Sequence, residues 1–319
     1  MTKRTRVFMA GSAVVMAVGL CTGLIAYYSG GFLALNASSG PEEMAYVPAD
    51  ATVVAFADVR AIMGSELRAR LKEAMPGQQT GQREFQEKTG IDIERDIDYV
   101  VASMTDFSGG HPNGLVVARG RFDVVRLEGL AREHGGTLED YRGKRLVSSP
   151  HSTEQFTMAF LEPGLVAVGG SSAVKHAIDA QMSAQSVTGN AEMMDLVKDI
   201  AATNNAWAVG RFDVLASQAN FPEQVARQIP PVQWFAAAGK INGGVTGLLR
   251  AEARDDLSAQ RLRDVVRGFL ALAQMQGQND PKLAAFAQSL QLSGDGKTVA
   301  LSFAVPAEIL QRIPKAQVR

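Results

Sequence analysis

This sequence predicts an α+β fold: an N-terminal transmembrane helix, then two related halves of antiparallel sheet with helices packed on one face. Three observations predict it. A charge-free run near the N-terminus is long enough to cross a bilayer, apolar strands meet at Asn-Gly turns, and the order of strands and helices recurs in the second half.

The first six residues hold Lys3, Arg4 and Arg6 without an acid, and the 22 residues 7–28 carry no charge. A helix of that length rises far enough to span a hydrocarbon core roughly 30 Å thick. Tyr27 and Tyr28 close it where interfacial aromatics belong, and the positive-inside rule keeps the basic stub cytoplasmic. Residues 1–28 therefore read as a stub and an uncleaved anchor that meets the lipid bilayer through residues 7–28. The chain is then expected in a bacterial inner membrane, single-pass, with its N-terminus cytoplasmic and its bulk in the periplasm. Cleavage near Leu35-Asn36-Ala37 is the competing reading, although a signal peptide usually has an apolar region of only about 7–15 residues. Bulky Leu20 before Cys21 argues against lipidation there, and Thr5 splits Arg4 from Arg6, against twin-arginine export.

Residues 29–47 are rich in Gly and Ser and read as a flexible tether. A first α+β half is expected over 48–181, a helical connector over 182–204 and a second α+β half over 205–319. Residues 52–57 (TVVAFA) form a buried-type strand, and Met63, Leu67, Leu71 and Met75 lie four apart on one helix that Pro76-Gly77 ends. Strands follow at 99–104 and 115–121, then a helix carrying Val125 and Leu130. Further strands at 145–148, 156–161 and 166–169 lead to a helix that opens at Ser171 and Ser172. The second half repeats the theme with strands at 206–211, 233–240 and 246–254. A long helix follows with an apolar stripe of Leu262, Val265, Val266, Phe269, Leu270 and Ala273, then strands at 291–292 and 298–305 and a short helix at 307–313. Gly-Arg-Phe-Asp-Val stands at 120–124 and again at 210–214, and Asn113-Gly114 and Asn242-Gly243 mark hairpins at matching places.

Several residues invite chemistry. Asp58, Asp123, Asp213 and Asp255 each stand between a strand and a helix, where an aspartate caps free N–H groups of the first helical turn. Asp92, Glu94, Asp96 and Asp98 are interleaved with Ile91, Ile93 and Ile97 and lack the glycine and terminal glutamate of an EF-hand loop, so they read as a turn. The four histidines, His111, His134, His151 and His176, are never three or four apart, and no helix-based zinc site is expected. Cys21 is the only cysteine, so an intrachain disulfide or a cysteine-based structural zinc site is excluded. Neither a cofactor nor a metal is expected. Gly169, Gly170, Ser171 and Ser172 at a helix start make a weak anion-binding candidate, with plain serine capping as the simpler reading. With 32 basic and 33 acidic residues the chain lacks the positive surplus of a nucleic-acid binder.

Pro48-Ala49-Asp50 before an apolar strand and Asp58, Thr89-Gly90-Ile91-Asp92 with Asp96-Ile97-Asp98-Tyr99-Val100, Leu161-Glu162-Pro163-Gly164-Leu165-Val166, and Gly294-Asp295-Gly296 before Val305-Pro306 form a set. They resemble a bacterial family of membrane-anchored exported proteins of unknown function with a duplicated α+β ectodomain. The resemblance rests on structural motifs over about residues 46–315 and implies no catalytic residue. The function expected is binding or interaction at the cell envelope, with an envelope protein or an apolar ligand as partner. The alternative is a carrier or sensor of an apolar envelope molecule. A third reading is a hydrolase built on His134, Asp140 and Ser148.

Overall fold

Valine- and alanine-rich runs at 53–57 and 206–211 are buried at nearly every position, which only a strand covered on both sides allows. They pair with each other in the interior of one continuous twelve-stranded sheet. The computed structural model describes residues 41–74, 80–105, 114–148, 156–218, 230–277 and 281–306. The expected anchor, the tether up to residue 40, His111, His151 and the helix expected at 307–313 lie outside them. Among the described residues no helix is long and apolar enough to cross a membrane.

In chain order the elements are β1 (Val53–Ala57), α1 (Val59–Met63), α2 (Glu66–Ala74), α3 (Thr80–Thr89), α4 (Ile93–Asp96), β2 (Ile97–Met104), β3 (Gly114–Gly120) and α5 (Val124–Glu133). There follow β4 (Thr137–Tyr141), β5 (Lys144–Ser148), β6 (Phe156–Glu162), β7 (Leu165–Gly170), α6 (Ser171–Ser183) and α7 (Ala191–Ala201). The chain continues through β8 (Ala206–Arg211), α8 (Phe212–Gln218), β9 (Val232–Ile241), β10 (Gly244–Ala253), α9 (Asp256–Gly277), α10 (Pro281–Ser289), β11 (Gln291–Ser293) and β12 (Thr298–Pro306). The sheet order is β11-β12-β10-β9-β8-β1-β2-β3-β7-β6-β5-β4, antiparallel throughout. The strands of both expected halves lie in this one sheet, joined where β1 pairs with β8, Phe56 opposite Trp207. Outward from that pair, one side runs β1, β2, β3, β7, β6, β5, β4 and the other β8, β9, β10, β12, β11, so the first side carries two further strands at its edge. Both sides thus meet their first three strands, then their last, then the one before it.

Helices cover both faces, which corrects the expected packing on one face. Successive strand residues point to opposite sides, so Ala206 and Trp207 enter different clusters. On the first face Trp207, Phe56, Val101 and Val117 lie in register. There α7 packs Met193, Val197 and Ile200, and α6 packs Val174, Ala177 and Ile178. On the second face α1 lays Val59 and Ile62 over Ala57, Val100, Ala118 and Val166, and the start of α9 lays Ala259 and Leu262 over Val299.

Residues 41–47, the end of the expected tether, are ordered. Glu42–Tyr46 form a 3-10 turn, and Met44 and Val47 are fully buried between the first face and the helices above it. Burying a methionine side chain is worth about 1.5–3 kcal/mol, enough to hold a segment whose composition alone reads as linker. The single helix expected at Met63 to Met75 is broken at Gly64-Ser65 into α1 and α2. There the Ser65 hydroxyl bonds the Ile62 carbonyl and accepts from the Arg68 N–H, so it starts the second helix. In α5 it is Leu127 that is buried, while Val125 faces water.

Candidate functional site

The aspartates at strand–helix junctions serve the backbone. Asp58 accepts from the Ala61 N–H at 2.8 Å, Asp123 from Arg126 at 3.0 Å and Asp255 from Ser258 at 2.7 Å. Asp213 differs: it stands inside the first turn of α8 and holds Arg211 through two bonds of 2.8 and 2.6 Å, which keeps its carboxyl below the usual range. Arg121 turns instead to Asp96, at 3.5 Å.

In the acidic run, Asp92 caps α4 through the Glu94 N–H, Asp96 accepts from the Asp92 N–H, Glu94 pairs with Arg68 and Asp98 with Arg60. Among the described residues no group of three or more His, Cys, Asp or Glu could hold a metal ion. His134 bonds the Leu130 carbonyl, Asp140 accepts from the Gly143 N–H, and Ser148 bonds Thr157. Asp140 pairs with Arg145 near one end of the β4–β5 hairpin and Ser148 with Thr137 at the other, so these three do not come together.

In the Gly169–Ser172 stretch, close packing requires the glycine at 169, while Ser172 is exposed. A Cβ on Gly169 would meet the Gly114 carbonyl oxygen at 2.4 Å, so glycine lets β3 and β7 approach. Helix α6 starts after Gly170 with no side-chain cap, which corrects the expected serine cap.

No sequence motif marks the buried polar cluster on the first face. Glu43 is 1% exposed, and its Oε1 accepts from Tyr99 at 2.9 Å and from Arg119 Nε at 2.8 Å and Nη2 at 2.5 Å. Its Oε2 is buried with no hydrogen-bond partner among the described residues. Tyr46 donates to Glu162 at 2.7 Å, and Arg119 stands 3.8 Å from the same carboxylate. Two carboxylates thus face one guanidinium. Burial, then the charge of Glu43, push Tyr99 up to about 12, and burial with the Glu162 bond pushes Tyr46 up as well. Burial opposes the charge on Arg119, but its bonds to the Glu43 carboxylate outweigh it and raise its pKa. The cluster ties the turn at 42–46 to β2, β3 and β6.

Beside α7 lies a cleft of about 230 Å³ lined by Glu192, Asp195, Asp199, Trp234, Arg250 and Glu252 among others. Arg250 bridges Glu252 and Asp199 across it, each at 2.6 Å.

The second face carries an exposed apolar stripe. The stripe expected on α9 splits: Leu262, Val266 and Leu270 turn inward, but Val265 is 42%, Phe269 67%, Leu272 54% and Met275 65% exposed. These four fall at i, i+4, i+7 and i+10, on one side of the helix. No charged residue occurs from 268 to 277.

No family model matches the chain, and no curated protein matches it. Among solved structures, crystal form IV of TP0453 matches at 11% identity and a TM-score of 0.48, covering 86% of this chain and 96% of that one. A likeness at this level assigns neither a family nor a function.

Proposed function

We propose that this chain is a single-pass, membrane-anchored protein of the bacterial envelope whose exported α+β domain binds a protein partner. The observation that carries the proposal is the α9 stripe: four large apolar side chains exposed along one side of a 22-residue helix. Contiguous exposed apolar patches on folded domains mark interaction sites, and anchors at i, i+4 and i+7 are the pattern of a helix laid into an apolar groove. Residues 7–28 supply the anchor and the basic stub sets its orientation. We further read the two halves as an internal duplication. The common strand order about the β1–β8 pair and the repeated Gly-Arg-Phe-Asp-Val support that reading.

A photo-crosslinking residue at Leu272 in the full chain tests the binding role. An adduct of discrete mass in envelope membranes, absent when the residue is moved to exposed Gln260 and lost in Phe269→Asp, is expected. If Leu272 gives no adduct while the purified protein retains a lipid in native mass spectrometry, the carrier reading takes its place. The charge-lined cleft beside α7 does not favour that reading, which calls for an apolar cavity.

A further inference from the structure

The segment ahead of the sheet is fastened differently from the strands that follow it. Residues 41–47 lie on the first face and belong to no strand, since β1 begins at Val53. Met44 and Val47 are fully buried in the cluster that holds α7, and Tyr46 is buried in the cluster that holds α6. The segment therefore fills a groove between those two helices. Its internal bonds run from the Met44 N–H to the Pro41 carbonyl and from the Val47 N–H to the Met44 carbonyl, both at 3.1 Å. Among the described residues, the backbone hydrogen bond that joins it to the rest of the fold runs from the Val187 N–H to the Val47 carbonyl, at 2.8 Å. Side chains supply the remainder of the hold.

We infer that residues 41–47 are a strap that opens while the sheet stays folded, and that the groove beneath it takes a peptide of the strap's own chemistry, a carboxylate flanked by apolar side chains. The polar half of the fastening is unbalanced. Glu43 and Glu162 face the single guanidinium of Arg119, and the buried Glu43 Oε2 has no hydrogen-bond partner among the described residues. A buried ion pair adds little net stability once its desolvation is counted, and an unsatisfied buried oxygen subtracts from it. Strands β1 and β8, by contrast, are each laddered on both sides. Segments with few backbone bonds open at free energies below that of global unfolding. Opening removes none of the twelve strands, and α6 and α7 keep their own contacts with the sheet through Val174, Ile178, Met193 and Ile200. What it uncovers is Arg119 with Tyr99, between the apolar places of Met44 and Tyr46. A guanidinium set between two apolar sites recognises a carboxylate with apolar neighbours. The groove lies on the first face, opposite α9, and is a surface separate from the one proposed above.

Hydrogen exchange of the unmodified full chain, read by mass spectrometry, tests the opening. Residues 42–47 should exchange about 100-fold faster than β8, or more. Equal protection overturns the inference, because the strap would then open only with the whole fold. Fluorescence anisotropy with a labelled synthetic peptide of residues 41–50 tests the groove. That peptide should bind a chain carrying Glu43→Ser with Met44→Ser about tenfold more tightly than the parent, or better, since the parent's own strap competes for the groove. A Glu43→Gln peptide should bind that double variant about tenfold more weakly than the natural peptide, because it brings no charge to Arg119. Fast exchange without peptide binding to the double variant, or binding indifferent to Glu43, overturns the assignment of the groove. Loss of β8 protection in the double variant also overturns the inference, by showing that the strap holds the sheet together.

Discussion

Removing Arg119 while leaving Glu43 in place tests whether the buried cluster holds the turn. In Arg119→Ala, Glu43 loses the two guanidinium bonds and keeps only Tyr99, while its Oε2 is already without a partner. Breaking a buried ion pair from one side typically costs about 3–5 kcal/mol. Arg119 is itself 27% exposed, so water can reach part of the gap and the expected loss falls near the lower end, about 3 kcal/mol. Replacing both partners, Glu43→Leu with Arg119→Met, removes charge and desolvation together and should cost less than about 1 kcal/mol. The assay is urea unfolding followed by tryptophan fluorescence. The chain has two tryptophans, and both Trp207 and Trp234 sit in the core cluster that includes Met44. A loss below about 1 kcal/mol in Arg119→Ala, or an equal loss in the double variant, would refute the reasoning.

The same contacts set other outcomes. Tyr99 and Tyr46 ionise later in the folded than in the unfolded chain, so the folded state holds more protons above pH 10, and stability should fall as pH rises from about 10 to 12. Tyr46→Phe with Tyr99→Phe should flatten that decline in alkaline urea titrations, and an unchanged decline contradicts the assignment. Gly169→Ala should cost about 1–3 kcal/mol by forcing β3 and β7 apart, whereas Ser172→Ala should change thermal stability by less than about 0.5 kcal/mol. Phe269→Lys on exposed α9 should leave the urea midpoint within about 0.5 kcal/mol of the parent and abolish the Leu272 crosslink. A large loss of stability there would mean that the stripe is structural.

What was legible in the sequence followed burial on two sides and turn chemistry. The runs at β1 and β8 are apolar at consecutive positions, and Asn242-Gly243 closes the β9–β10 hairpin, with Ile241 opposite Val245. Strand β4, Thr-Leu-Glu-Asp-Tyr, leaves little signal because it is an exposed edge with little apolar alternation, and polar α3 because most of its described positions face water. Periodicity locates α9 but cannot separate Leu262, which packs, from Val265 and Phe269, which are exposed. The whole helix is apolar over more of its circumference than the sheet covers. The buried cluster is out of reach for a different reason. Glu42 and Glu43 look like solvated linker residues, and the partner that makes Glu43 a core residue, Arg119, lies 76 positions away. Long-range pairing of one charge leaves no trace in local composition.

An anchored chain with an exported domain is tested most directly by protease accessibility in spheroplasts, combined with alkaline carbonate extraction of the full chain. Cleavage of the domain from outside without detergent is expected, and the uncut chain should stay with the membrane pellet after carbonate. A chain released into the supernatant, or a domain protected until the inner membrane is dissolved, would contradict the anchored, exported arrangement.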